Sequence, residues 1–376
     1  MRILVLSYEY PPVGGGGGRA AQDLCQVLAK RGYELRVLTA HLKGLPRQEA
    51  LQGVQIIRVP SLRRLAYKAG LLPMSGYVIA GLWAGLHLTK EWKPDLIHVH
   101  FAVPSGALAW ALHRVRRIPY VLTAHLGDVP GGVPEKTDRW FRWLYPFTHL
   151  IWKDAARVAA VSEHTRQLAQ ALYPVEIQVI PNGVDLTSLD PGTIQPGSPP
   201  QIVFVGRFMP QKNPLQVVRT LASVKDLSWK CLMIGDGPLR SEVERTIADY
   251  GLQERIHLTG WITPEEVVAH YRESDILFMP SLSEGLPVSG VQALAMGLAI
   301  LASRVGGWVD LVADQSNGYL VATGEEEKYT TFLSSLLSDP HLLLHFRLES
   351  RQKAKQFDLA AIADQYSALY EGIASV

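Results

Sequence analysis

Short apolar runs alternating with helical stretches constrain this chain more than any other feature. In the first half RILVLSY, ELRVLTA, VQIIRV, DLIHVHF, PYVLTA and RVAAVS are strand-length runs rich in Val, Ile and Leu. Helical segments such as AAQDLCQVLAKRG, closed by Gly32, lie between them. Strands that are apolar along their whole length must be covered on both faces, which predicts a parallel sheet with helices on either side. The alternation breaks at LTSLDPGTIQPGSPP, whose four prolines and two glycines read as an interdomain linker. It restarts with QIVFVGR, WKCLMIG, RIHLTG, ILFMPS and AILASR. At 376 residues the chain exceeds one ordinary core, and two domains of roughly 180 residues are expected. The expected boundaries are 1–188 and 189–356, with a last helix, 357–376, returning across the hinge. The fold class is α/β: two doubly wound, Rossmann-like domains with ligand at the strand carboxyl ends, in the cleft between them.

Composition narrows the chemistry. Two cysteines, Cys25 and Cys231, exclude a disulfide scaffold and a Cys-based zinc site, and fit a reducing cytosol. MRILVLSYEY runs straight into polar, Gly-rich sequence, so no secretory signal is expected. The longest apolar run, Tyr77 to Leu86, is about half of a spanning helix, and a soluble protein is expected. The net charge of +2 hides an asymmetry: residues 1–190 carry +8 and the remainder −6. No acid lies between Glu49 and Glu91, whereas Arg58, Arg63, Arg64, Lys68 and Lys90 do. This is either a solvated basic face or a surface for an acidic or membrane partner.

The turns carry the chemistry. PPVGGGGGR, Pro11 to Arg19, joins the first strand to the first helix and lets backbone approach a ligand, unless it is only a structural turn. It is a poor dinucleotide fingerprint, because SYEYPPV intervenes after the strand and no acid ends the second strand. The absence of GK[ST] excludes a Walker-type loop. In the second half VFVGRFMPQKN sets Gly206, Arg207 and Lys212 at a strand end, a fork and a point charge suited to a diphosphate. MIGDGPLR, with Gly235, Asp236 and Gly237, reads as a structural turn. SEGLPVSGVQALAMG places Glu284 on a loop ahead of a short helix closed by Gly297, whose N-terminus favours phosphate. Glu284 can accept hydrogen bonds from hydroxyls just beyond that phosphate, and Gln292, one turn into the helix, can reach a second set. A phosphate between two hydroxyl-rich groups describes a sugar nucleotide.

At these residues the sequence resembles the retaining glycosyltransferases of family GT4, which have the two-domain GT-B fold. The motifs are EYPPVGGGG, TAHLGDV, VSEHT, IPNGVDL, VGRFMPQKN, IGDGPLR, LTGW, PSLSEGLPVSGVQALAMG and RVGGWVDLV, spread over nearly the whole chain in the family's order. The resemblance implies that Gly17 and Gly18 line the cleft by the donor phosphate, that His125 contacts the transferred sugar, and that Asp128 lies on the acceptor side. It implies that Arg207 and Lys212, with Gly206, clamp the diphosphate. Glu284 and Gly285 then meet the sugar, and Leu286, Pro287 and Val288 offer backbone N–H groups. Gln292 stands where the family's E-x7-E motif has its second Glu, the ribose contact, so one charge-assisted bond becomes neutral, a loss on the order of 1 kcal/mol.

The implied reaction is metal-free hexosyl transfer with retention. No D-x-D occurs in the chain, and no cofactor is expected beyond the nucleotide sugar as substrate. UDP-glucose is the default donor. The expected partners are that donor, a saccharide or lipid-linked acceptor, and an anionic membrane surface met by SLRRLAYKAGLLPMSGYVIAGLW and RWFRWLYPF, unless these are ordinary helices. Nucleic acid is not among them. His98 and His100 read as core or cleft-lining residues rather than metal ligands. The rival readings are a sugar-nucleotide epimerase of the same fold and a non-catalytic binding partner.

Overall fold

The structure, a computed structural model, describes residues 1–66, 70–132 and 147–374. The chain divides into two compact units, residues 1–183 with 359–376, and residues 184–358. The crossings therefore fall at Gly183/Val184 and Asp358/Leu359, against the expected 188/189 and 356/357.

The first unit is built on an eight-stranded sheet in the order β3-β4-β2-β1-β5-β6-β7-β8. Its strands are β1 (Arg2–Ser7), β2 (Glu34–Leu42), β3 (Gln48–Leu51), β4 (Val54–Arg63), β5 (Leu96–His100), β6 (Tyr120–Ala124), β7 (Arg157–Ala160) and β8 (Gln178–Val179). Every pairing is parallel except the β3–β4 hairpin, which the apolar pattern did not signal because β3 is largely exposed. One face, with Leu4, Leu6, Ile97, Val99 and Leu122, is covered by α2 (Leu71–Trp92) and by the helix Ala107–Arg116. The other, with Ile3, Val5, Leu96 and Val121, is covered by α1 (Gly16–Lys30) and the C-terminal helix (Leu359–Ala374). That last helix presents Ile362, Tyr366 and Tyr370, a stripe at helical spacing, to the sheet.

The second unit has six parallel strands, β11-β10-β9-β12-β13-β14. They are β9 (Gln201–Val205), β10 (Lys230–Ile234), β11 (Ile256–Gly260), β12 (Ile276–Met279), β13 (Ala299–Ser303) and β14 (Gly318–Val321). Strand order reverses beside β1 in the first sheet and beside β9 in the second. Such switch points open a crevice at the strand carboxyl ends.

Three expectations change. The Pro/Gly-rich stretch is not a free linker but belongs to the second unit. Buried Arg347 pairs with buried Asp275 and donates to the Gln195 and Gly297 carbonyls, while Asp275 accepts from the Gly197 and Gln201 amides. Arg58 and Arg63 are not a solvated basic face. Both are buried, Arg58 against Glu49 and the Pro11 and Pro46 carbonyls, Arg63 against the Leu65 and Ala66 carbonyls. Finally, α2 extends beyond the apolar run seen in sequence to 22 residues, long and apolar enough by composition to cross a membrane, with only 22% of its most apolar window buried. Lys68, most of RWFRWLYPF and the Asp128 side chain lie outside the described residues.

Candidate active site

In the first unit the expected residues gather at the carboxyl ends of β1, β5 and β6. The Gly-rich stretch is only partly a loop: α1 begins at Gly16, so Gly17 and Gly18 lie in its first turn. The loop is held from below, with the Gly15 amide donating to Glu9 and the Gly14 amide to the Ala66 carbonyl that Arg63 also engages. Gly17 is a close approach. A Cβ there would sit 2.7 Å from the Phe101 ring and 3.2 Å from His125 Nδ1. At Gly18 it would meet the Glu9 carbonyl at 2.8 Å.

His125, just past β6, is buried and stacks on Phe101 with ring centroids 4.3 Å apart. Phe101 holds a left-handed backbone, φ 72°, which a non-glycine residue adopts only under constraint from its surroundings. Its ring lies directly against Gly17 and His125, a placement that no motif in the sequence marked. His98 and His100 share one face of β5, as Thr123 and His125 do along β6 and just beyond it. His98 Nε2 bonds Thr123 Oγ1 at 2.8 Å, and His100 Nδ1 lies 3.4 Å from His125 Nε2. Burial pushes His98 down to about 3 and His125 to about 4, with His100 also far below its ordinary value, so the cluster is neutral at pH 7.

In the second unit the expected donor residues fall on the loops after β9 and β12. A short turn, Pro210–Lys212, brings Lys212 back over Gly206, where a Cβ would touch the lysine stem at 3.4 Å. Lys212 Nζ meets Glu284 Oε1 at 2.5 Å, with side-chain exposures of 19% and 7%. Around this pair the loops are zipped: Gln211 donates to the Ser283 carbonyl at 2.9 Å, and the Leu282 amide donates to the Gln211 carbonyl at 2.8 Å. The loop after β13 closes from beneath, its Gly307 amide donating to the Gly285 carbonyl at 2.6 Å. Gly306, φ +53°, accepts no side chain, since a Cβ would lie 1.7 Å from the Glu284 carbonyl oxygen.

The helix Val288–Ala295 then starts at N-cap Pro287 with no side-chain cap. Leu286 is buried in this turn, and Gln292 is half-buried with no side-chain hydrogen bond among the described residues. One expectation fails on chemistry: Pro287 has no N–H, so only Leu286 and Val288 of that trio can donate. Arg207 is half-buried beside Gly206. The Gly235–Gly237 turn is structural, its backbone packed on Gly206 and Phe208.

A neutral imidazole cluster thus marks one switch point, and a lysine–glutamate pair beside an uncapped helix N-terminus marks the other. The family profile "Glycosyltransferase Family 4" matches residues 14–188, and "Glycosyl transferases group 1" matches residues 190–357. The 2-deoxystreptamine glucosyltransferase of Streptomyces kanamyceticus is 30% identical, over 93% of this chain and 97% of that one. The chain belongs to the group 1, family 4 glycosyltransferases.

A D-inositol 3-phosphate glycosyltransferase from Nocardia farcinica is 29% identical over 96% of this glycosyltransferase and 87% of its own length. Among solved structures, sucrose-phosphate synthase from Thermosynechococcus elongatus superposes with a TM-score of 0.86 at 22% identity, covering 99% of this chain and 98% of that one. Anabaena HepE in complex with UDP and glucose gives 0.77 at 18% identity, covering 99% and 100%. The fold is GT-B.

Sequence reasoning missed Phe101, Gln211 and Gly306/Gly307 as neighbours of the candidate site. RVGGW was visible as a motif, but its task, to pass beneath the Glu284 loop, is a tertiary contact. Phe101 left only the faint signal of an aromatic immediately after an apolar strand.

Proposed function

We propose that this glycosyltransferase moves a hexose, with retention of configuration, from a nucleoside-diphosphate sugar to a saccharide or lipid-linked acceptor in polysaccharide or glycolipid synthesis. UDP-glucose is the first donor to try. The observation that carries the reading is the Lys212–Glu284 pair at the carboxyl ends of β9 and β12, beside the uncapped start of Val288–Ala295. Its cation and the free N–H groups suit a diphosphate, and its carboxylate suits sugar hydroxyls. Related proteins are named for glucosyl transfer to 2-deoxystreptamine and glycosyl transfer to inositol 3-phosphate, which supports a polyhydroxylated acceptor.

In this reading the acceptor hydroxyl forms its bond to the anomeric carbon on the face that the diphosphate leaves. The sugar–phosphate C–O bond breaks, and the departing phosphate takes the hydroxyl proton. Lys212, Arg207 and the helix N-terminus neutralise the leaving charge, so no metal is required. His125, neutral, bonds a sugar hydroxyl rather than acting as base. Gln292 receives the ribose.

We assign the outward face of α2, with Leu72, Ile79 and Trp83 exposed, to the cytoplasmic surface of an anionic membrane, where lipid-linked acceptors reside. Sedimentation with phosphatidylglycerol vesicles, lost on Trp83→Asp, tests that assignment.

The central experiment is calorimetric titration with UDP, GDP, ADP, dTDP and NAD without metal, followed by turnover of the matching glucose donor. Binding of one nucleoside diphosphate with slow donor hydrolysis supports transfer. Free epimer from donor alone selects the epimerase. Silence from all diphosphates in folded protein selects the non-catalytic partner.

A further inference from the structure

The C-terminal helix does more than close the apolar face of the first sheet. On that face β5 presents Leu96, His98 and His100 in succession, and β6 presents Val121 and Thr123 with His125 just beyond. The residues run from apolar at the base to polar at the strand ends. Leu96 and Val121 meet the apolar stripe of the helix, but the next layer is polar and fully covered, so its groups must bond one another. The helix supplies the missing partners. Tyr370 Oη lies 2.8 Å from His98 Nδ1, and Tyr366 Oη lies 3.0 Å from Thr123 Oγ1.

Because His98 Nε2 also bonds Thr123 Oγ1, both nitrogens of the His98 ring are held, whichever tautomer it adopts. The two phenols, the ring and the hydroxyl form one continuous chain of bonds. His98 in turn lies against His100, centroids 4.3 Å apart, and His100 Nδ1 is the neighbour of His125 Nε2. His100 Nε2 is buried without a hydrogen-bond partner among the described residues, so packing holds its ring, with the His98 ring on one contact and His125 Nε2 on the other. His125 in turn stacks on Phe101.

We propose that Tyr366 and Tyr370 are positioning residues for His125, acting through Thr123, His98 and His100. The proposal rests on the reading of His125 as a contact of the transferred sugar. It gives the return of the chain to the first unit after Asp358 a catalytic consequence: the segment that re-enters carries the hydroxyls that fix the imidazoles. A helix needed only for packing would require the tyrosine rings and be indifferent to their hydroxyls.

Tyr366→Phe and Tyr370→Phe remove the hydroxyl and keep the ring. In each, kcat for hydrolysis of UDP-glucose, with water in place of the acceptor, should fall about 10-fold, since small misplacements of a contact group are costly. KM for the donor should change far less, because Arg207, Lys212 and the helix N-terminus assigned to the diphosphate belong to the second unit. The side-chain 15N resonances of His98 and His125, assigned by His98→Gln and His125→Ala, should both move. Tyr33→Phe, whose ring lies 6.2 Å from that of Tyr370 but whose hydroxyl is outside the chain of bonds, should leave kcat and the resonances in place. The proposal is overturned if His125→Ala abolishes turnover while both tyrosine variants keep wild-type kcat and an unmoved His125 resonance. Full turnover in His125→Ala is a separate failure, that of the sugar-contact reading, and it removes the reason to position the ring. Should hydrolysis be too slow to follow in the parent protein, an unmoved His125 resonance in both variants overturns the proposal by itself.

Discussion

The two units use the same sheet architecture and opposite electrostatics at their switch points. In the second, a lysine and a glutamate share a nearly dry site, and the cost of desolvating each is offset mainly by the other. In the first, three imidazoles are packed too deeply to take up a second ring proton, and hydrogen bonds together with ring contacts set their geometry. The contrast teaches what each unit can recognise. Full charge suits a ligand that arrives as a polyanion, and a fixed neutral ring suits hydroxyls, which need direction rather than charge.

The sharpest way to break this contrast is Glu284→Ala. Donor turnover should fall on the order of 10²–10³-fold. Leaving Lys212 without its partner should destabilise the second unit by about 2 kcal/mol, below the cost at a fully buried site because the lysine is 19% exposed. Lys212→Met with Glu284→Leu should restore the melting temperature and none of the activity. If stability stays low in that double variant, the pair is not the charge device described here.

On the neutral side, Gly17→Ala places a methyl group 2.7 Å from the Phe101 ring and displaces it from His125. A loss of roughly 10²-fold in turnover is expected. Equal turnover would mean that the ring yields without moving the histidine.

Acid should separate the units. The folded values of His98 and His125, about 3 and 4, lie below the ordinary 6.5, so only the unfolded chain takes up protons between these limits. The stability these groups contribute is therefore complete above pH 6.5 and is lost as pH falls towards 4, with a slope of about 1.4 kcal/mol per pH unit for each histidine. Scanning calorimetry from pH 7 to 4 should show one transition moving down ahead of the other, and His98→Gln should flatten its slope. The smallest effect is at Gln292→Glu, where UDP should bind about fivefold tighter as one neutral ribose bond becomes charge-assisted.

Much of this was legible in one dimension. Eleven strands were readable because buried parallel strands are apolar throughout, while β3, β8 and β14 were too short or too exposed to announce themselves. Lys212 and Glu284 were visible as a cation and an acid on loops after strands, and their pairing was not, since 72 residues separate them. The basic stretch around Arg58 and Arg63 looked like surface, because a sequence shows the charge but not the backbone carbonyls that surround it.

Local chemistry, then, decided the elements and the residue types at their ends: hydrophobic period for strands and helices, glycine where backbone must come close, a carboxylate or a cation where a turn follows a strand. Only the tertiary structure decided which of these meet. Strand order brought β5 and β6 side by side and set His98 against Thr123. The return of the last helix to the first unit then placed Tyr366 and Tyr370 over them, contacts spanning 243 and 272 residues whose energy no local pattern records.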